Sequence, residues 1–213
     1  MPQPSFAALT AFLRDRLKHP LPGTEAQMSM APSTDTHADR FEPPDDSFRR
    51  ASVLAALFPG PEGPTLLLTK RREDLNHHPG QISFPGGQIE AGETPQAAAL
   101  REAEEEIALA SHLIDLLGPL SPLYISVSNF WVQPFLGILA APPKELKPQD
   151  EEVSLILEVP LNTLAHPDAR QHAPWTFRGE EVQVPYFAYN GHTIWGATAM
   201  MLAELVTLFD EWR

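Results

Sequence analysis

The sequence predicts a mixed domain, α/β or α+β, in which helices flank a sheet. Three observations lead there. Apolar runs of strand length recur through the middle of the chain, helical periodicity stands before, between and after them, and turn-forming proline and glycine separate the segments. At 213 residues the chain suits one sizeable domain. That domain is expected to span residues 1–213, with an N-terminal helix in 1–19, a polar loop or linker over 20–49 and the core over 50–213.

In order along the chain, residues 4–18 place Phe6, Leu9, Phe12, Leu13 and Leu17 at three- and four-residue spacing, which predicts an amphipathic helix. From 20 to 49 the sequence is polar, rich in proline and acid, and has no packing signal; within it, residues 24–48 are expected to be dispensable for chemistry. "ASVLAALF" (51–58), "PGPEGP" (59–64) and "TLLLTKR" (65–71) read as strand, turn and strand, a hairpin. The glycine-rich loop "FPGGQIEAGET" (84–94) leads into a helix, with Thr94 suited to the N-cap and Pro95 to the first helical position. "LYISV" (123–127), "FWVQPFLGILA" (130–140) and "VSLILEV" (153–159) read as further strands. The segment "TIWGATAMMLAELVTLFDEW" (193–212) reads as a closing helix that buries one broad apolar face.

Composition removes several classes of function. A net charge of −13 argues against nucleic acid and anionic membrane surfaces as partners. A polyanionic substrate would then need a few local Lys or Arg, or a bound divalent cation. With no cysteine there are no disulfides, thiolate chemistry or zinc–cysteine sites. No apolar run approaches the ~18–20 residues of a membrane span. The N-terminal stretch is broken by charges and does not read as a secretory signal, so a cytoplasmic location is expected. The 23 prolines, about twice the usual ~5%, are spread over many short stretches and point to a loop-rich fold.

One stretch calls for a physical explanation. "REAEEE" (101–106) crowds four glutamates into one helical turn and a half, and like charges at this spacing destabilise a helix by roughly 0.2–0.5 kcal/mol per pair. At about 100° per residue, Glu102, Glu105 and Glu106 share one sector while Ala99, Leu100, Ala103 and Ile107 form a separate apolar face. Glu104 points away from the triplet. Three convergent carboxylates suit a hard cation such as Mg²⁺, which takes oxygen ligands and keeps room for water and phosphate. The plainer alternative is a solvated acidic face.

The surrounding spacing decides between them. Residues 87–109, "GQIEAGETPQAAALREAEEEIAL", resemble the Nudix box: Gly, five residues, Glu, seven residues, then Arg-Glu-apolar-any-Glu-Glu-any-Gly-apolar. Gly87, Glu93, Arg101, Glu102, Ala103, Glu105, Glu106 and Leu109 fall in register; Ala108 stands where the box usually has glycine. The resemblance implies a Nudix α/β/α sandwich with a mixed central sheet, here with an added N-terminal helix. It implies hydrolysis of a nucleoside diphosphate linked to another moiety. It further implies that Glu102 and Glu106 bind Mg²⁺ or Mn²⁺, that Glu105 assists directly or through water, and that the Gly87 carbonyl completes the shell. Arg101 would pair with Glu93 and hold the loop against the helix. The general base is a box glutamate or one from a later loop. Glu151 and Glu152 in "KPQDEEVSLILEVPL" are the later candidates, with Glu152 preferred, beside the plainer reading of a solvated loop.

Upstream, "LLLTKRREDLNHHPGQISFPGG" (66–87) resembles the coenzyme A pyrophosphatase branch of the Nudix family. Leu67, Leu68, Thr69, Arg71, Leu75, His78, Gly80, Gln81, Phe84, Pro85, Gly86 and Gly87 match that signature, while Arg72 and Asn76 depart from it. "YISVSNFWVQPFLG" (124–137), "DEEVSLILEVPL" (150–161) and "IWGATAMML" (194–202) resemble the same branch. The implied reaction splits coenzyme A, a small-molecule partner, into 3′,5′-ADP and 4′-phosphopantetheine. ADP-ribose, NADH or an oxidised nucleoside triphosphate are alternative substrates, and a Nudix-fold ligand-binding protein without turnover is an alternative of another class. Lys70, Arg71, His78 and Gln81 are the candidate substrate contacts. Arg71 is the choice for the phosphate that distinguishes coenzyme A from its dephospho form, with Arg72 pointing to the opposite strand face. His77 and His78 lack the Cys or His cluster that zinc would need. Phe84 and Trp131 read as core aromatics ahead of adenine platforms. Oligomeric state is left open.

Overall fold

Helix α1 (Phe6–Arg16) begins after Ser5, whose hydroxyl accepts the Ala8 N–H at 3.2 Å. The computed structural model describes residues 5–33, 43, 45–75, 79–177 and 179–213. A short helix α2 (Gly23–Met28) follows, then strands β1 (Arg49–Gly60) and β2 (Gly63–Arg71), the expected hairpin, closed where Gly60 pairs with Gly63. Next come β3 (Ile82–Ser83), β4 (Gly86–Gln88) and helix α3 (Pro95–Ile107). Strands β5 (Ile114–Pro119), β6 (Leu123–Ile125), β7 (Phe130–Leu139) and β8 (Val153–Pro160) complete the large sheet. After helix α4 (Leu161–Leu164), a small antiparallel sheet of β9 (Arg170–Phe177), β10 (Glu180–Tyr189) and β11 (His192–Trp195) leads into helix α5 (Gly196–Trp212).

The large sheet is mixed, as expected. Its main path runs β3-β2-β1-β7-β5, with β4 on β1, β6 on β7 and β8 on β2. β1 and β7 are parallel; the other pairs are antiparallel. Alternate residues of β1 serve opposite cores, which is why its sequence is an unbroken apolar run. Leu54, Ala56 and Phe58 cluster with Phe135, Leu139 and the α3 residues Ala99, Ala103 and Ile107. Ala55 and Leu57 belong instead to the core that holds Leu9 and Leu13 of α1 and Leu205 and Phe209 of α5. Helices therefore cover both faces of the sheet, and the architecture is the α/β sandwich.

Four readings of the sequence change. Residues 20–49 are not polar connection throughout: α2 lies within them, and Gln27 and Met30 are fully buried. The anchor is distant, because the Glu204 carboxylate of α5 accepts the Gly23 N–H at 3.0 Å and the Ser121 N–H at 3.1 Å. Residues 193–195 are not helical but belong to β11, which pairs Thr193 with Ala188 and Trp195 with Tyr186. Gly196, at φ +64°, turns the chain from that strand into α5. Only Leu123–Ile125 of the run 123–127 is strand, and Val127 is 79% exposed. Strands β9 and β10 escape the periodicity reading because each contains a proline, Pro174 and Pro185, which argues locally against a strand.

Candidate active site

Helix α3 starts where its capping residues predict. Thr94 accepts the Ala97 N–H at 3.2 Å, and Pro95 fills the first helical position. Its apolar face buries Ala98, Ala99, Ala103 and Ile107, and this packing fixes where the glutamates point. Glu106 is carried inward, 7% exposed, and accepts the Gly86 N–H at 3.3 Å. Burial pushes its carboxyl up to about 8; the charges of Glu102 and Glu152 add to this, while the Gly86 N–H and Arg71 oppose it. Burial also raises Glu102 above the usual carboxylate range, against the pull of Arg101.

The loop before the helix reaches these carboxylates through its glycines. A Cβ on Gly87 would stand 2.5 Å from the Glu102 carboxyl carbon, and one on Gly86 would stand 2.4 Å from the Ser52 carbonyl oxygen. Only a bare backbone fits between β1 and α3 at this point. Arg101 braces the same loop. Its guanidinium donates to both Glu93 carboxylate oxygens at 2.9 and 3.0 Å and to the Gln88 carbonyl at 3.2 Å. Its Nη1 also donates to Glu102 and to Glu105, each at 2.9 Å. The two-pronged bond holds Glu93 below the usual carboxylate range and Arg101 above its ordinary value.

The three glutamates of one sector are thus divided. Glu102 and Glu106 face the Gly86–Gly87 backbone, while Glu105 stays exposed and leans on Arg101. Among the described residues no three carboxylate or imidazole groups converge into a metal cage. The donor set nevertheless fits a cation of the Mg²⁺ type, which is held by one or two carboxylates and completes its octahedron with water and substrate oxygens. Glu106, turned inward and only 7% exposed beside the Gly86 backbone, is the observation behind that fit.

The signature strand lies against the same cluster. The Arg71 N–H donates to the Gln81 carbonyl at 2.9 Å, closing the loop between them, and Leu54 N–H reaches the Pro85 carbonyl at 2.9 Å. Arg71 Nη1 approaches Glu152 at 3.5 Å, and its enclosed Nε has no hydrogen-bond partner among the described residues. Arg71, Glu152, Glu106 and Glu102 therefore come together. Lys70 does not join them, being paired with Glu73 at 3.0 Å. Arg72, beyond a bulge at Lys70/Arg71, turns to Asp74 and the Asp150 carbonyl. Gln81 enters through its backbone, Glu151 is exposed, and His78 lies outside the described residues.

Beside Gly87, the start of β1 brings up residues that sequence reasoning missed. Arg50 sits over the Phe48 ring at 5.4 Å, and Phe48 stands 6.0 Å from Trp131. Phe48 closes a polar stretch with no periodic pattern, and the only sequence signal was Trp131 itself.

Comparison with known proteins gives the class of this fold. Residues 48–178 match the NUDIX domain, and the chain belongs to the Nudix hydrolase family. Enzymes of that family generally act on small nucleoside diphosphate derivatives with divalent metal ions. The chain is 37% identical over 161 residues to an uncharacterized Nudix hydrolase, NudL, of Photorhabdus laumondii, covering 75% of this chain and 84% of that protein. It is 36% identical over 158 residues to NudL of Escherichia coli K12, covering 74% of this chain and 81% of that one. Among solved structures it is similar to RenU, a Nudix hydrolase of M. smegmatis, with a TM-score of 0.47 and 24% identity over 56% of this chain and 77% of the other. No helix among the described residues is long and apolar enough to cross a membrane.

Proposed function

We propose that this chain hydrolyses the pyrophosphate bond of coenzyme A and its derivatives, releasing 3′,5′-ADP and 4′-phosphopantetheine. One observation carries the reading. The described residues of the stretch 66–87, which resembles the coenzyme A pyrophosphatase signature, border the carboxylate cluster: Arg71 bonds to Gln81, and Gly86 bonds to Glu106.

In this reading Glu102 and Glu106 hold Mg²⁺ or Mn²⁺, with Glu105 and the Gly87 carbonyl in support. When bound, that cation supplies positive charge to the phosphoryl oxygens and makes water more acidic. Arg101 keeps the loop and Glu102 in place through Glu93 and Gln88. Arg71, its side chain partly exposed beside Glu152, grips the diphosphate through its guanidinium. Glu152, on the open side of the cluster next to Arg71, takes the proton of the attacking water. The water oxygen bonds to one phosphorus as the bond from that phosphorus to the bridging oxygen breaks, leaving one phosphate on each product.

The test is a substrate panel with Mg²⁺ and, separately, Mn²⁺: coenzyme A, ADP-ribose, NADH and an oxidised nucleoside triphosphate, with products read by mass spectrometry in heavy-oxygen water. Coenzyme A is expected to have the highest kcat/KM and to yield the two named products. A higher kcat/KM on another member would overturn the substrate, and tight binding with no product would overturn catalysis.

A further inference from the structure

We propose that Phe48, Arg50 and Trp131 form a second subsite beside the carboxylate cluster, which takes the purine of the substrate on its rings and a phosphate lying off the diphosphate chain on its guanidinium. Register places it. Arg50 pairs with Trp131 across the parallel β1–β7 ladder, and two residues further along β1, about 7 Å, Ser52 pairs with Gly87 of β4. Gly87 is the residue whose backbone lies against Glu102. Alternation puts Arg50 and Ser52 on the same face of β1 as Leu54, Ala56 and Phe58, the face that packs on α3. Trp131 shares that face of β7 with Phe135 and Leu139. The subsite and the box glutamates therefore lie on one side of the sheet.

The chemistry of the three side chains fits such a ligand. Phe84, the other aromatic weighed for adenine, is 1% exposed and belongs to the opposite core, whereas Trp131 is only partly buried and tilts at 44° to Phe48. A partly exposed indole beside a phenyl ring offers a stacking surface for a flat base. Arg50 is exposed, and among the described residues its recorded contact is the Phe48 ring rather than a carboxylate. In a chain of net charge −13, a guanidinium held by an aromatic face, with no hydrogen bond to another described residue, is suited to an incoming phosphate. The neighbouring Arg49 differs, since it stacks on Phe130 and donates to the Ser128 carbonyl at 2.7 Å. Arg71, paired with Glu152 among the carboxylates, belongs with the diphosphate, so the outlying phosphate requires a separate cation.

The assignment rests on the coenzyme A reading, whose 3′-phosphate is such a group, and the test separates the two. Arg50→Gln should raise KM for coenzyme A about tenfold with kcat within about twofold, and leave dephospho-coenzyme A within about twofold. Trp131→Leu, checked for its fold by circular dichroism, should raise KM for both substrates. Binding of adenosine 3′,5′-bisphosphate, followed by calorimetry without turnover, should weaken about tenfold in Arg50→Gln, while 5′-AMP is unaffected. If wild type turns over coenzyme A and Arg50→Gln leaves its KM unchanged, the subsite is overturned and the function stands. If wild type fails on coenzyme A, the function falls, and the subsite stands or falls on the bisphosphate titration alone.

Discussion

At the scale of single residues, two positions store free energy that can be measured. Ala108 ends α3 at φ 55° and ψ 30°, the left-handed conformation, with its N–H on the Glu104 carbonyl at 3.0 Å and the Leu109 N–H on that of Ala103 at 3.3 Å. The position is the C-terminal cap that glycine usually fills, and the box usually has glycine there. Left-handed backbone costs an L-residue roughly 1–2 kcal/mol, against about 0.5–1 kcal/mol of extra chain entropy for glycine. Ala108→Gly should therefore stabilise the fold by about 0.5–1 kcal/mol, raising Tm by roughly 1–4 °C in a thermal melt; a lower Tm would show that the methyl group packs to more effect than the strain. Glu106 stores free energy differently. Its folded carboxyl is raised to about 8 by burial, so the folded state holds a proton that the unfolded chain releases near the ordinary carboxylate value. That contribution is fully present below the unfolded value and is lost as pH rises toward and through about 8. In chelator, Glu106→Gln should melt above wild type at pH ~8.5 and approach it near pH ~5. A gap that does not change with pH would remove the ionisation from the account.

At the scale of elements, α2 and α5 are joined by one carboxylate. Glu204 is fully buried and accepts the N–H groups of Gly23 and Ser121, while Gln27 Nε2 donates to the Ser121 carbonyl at 3.1 Å. Removing the acceptor leaves two partly buried donors without it, at up to about 1–3 kcal/mol each. Glu204→Ala should therefore lower Tm by roughly 5–15 °C, and Glu204→Gln, which keeps one acceptor oxygen, by less. Equal effects of the two would mean that side-chain volume, not hydrogen bonding, joins the elements. Helix α3 illustrates the reverse dependence. Its start follows from Thr94 and Pro95, but its orientation follows from Ala99, Ala103 and Ile107 meeting Leu54 and Phe135.

At the scale of the molecule, the proposed cation couples the site to the whole fold. A ligand that binds the folded chain and not the unfolded one stabilises it by mass action. Tm is expected to rise with Mg²⁺ in wild type at constant ionic strength, and to stay level in the double variant Glu102→Gln/Glu106→Gln. Constant ionic strength matters because screening alone relieves self-repulsion in a chain of net charge −13. Each single variant should also lower kcat at least ~10²-fold with its fold retained. An equal rise of Tm in the double variant would place the cation elsewhere.

What the sequence determined by itself is what a few neighbouring residues encode. The β1–β2 hairpin, the start of α3 and the shared sector of Glu102, Glu105 and Glu106 follow from periodicity and capping, and the Arg101–Glu93 pair across loop and helix follows from the resemblance to the Nudix box. Tertiary structure alone decided which glutamate loses water, because Glu106 is carried inward against the Gly86 backbone, a segment outside its own helix. It decided that Arg101 draws Glu105 away, that Arg71 meets Glu152 across 81 residues of chain, and that Gly23 meets Glu204 across 181. It also set Phe48 and Arg50 against Trp131 beside the site. The physical reason is range: backbone propensity and helical phase act within a turn or two, whereas burial and charge pairing depend on which distant segments the packed core brings together.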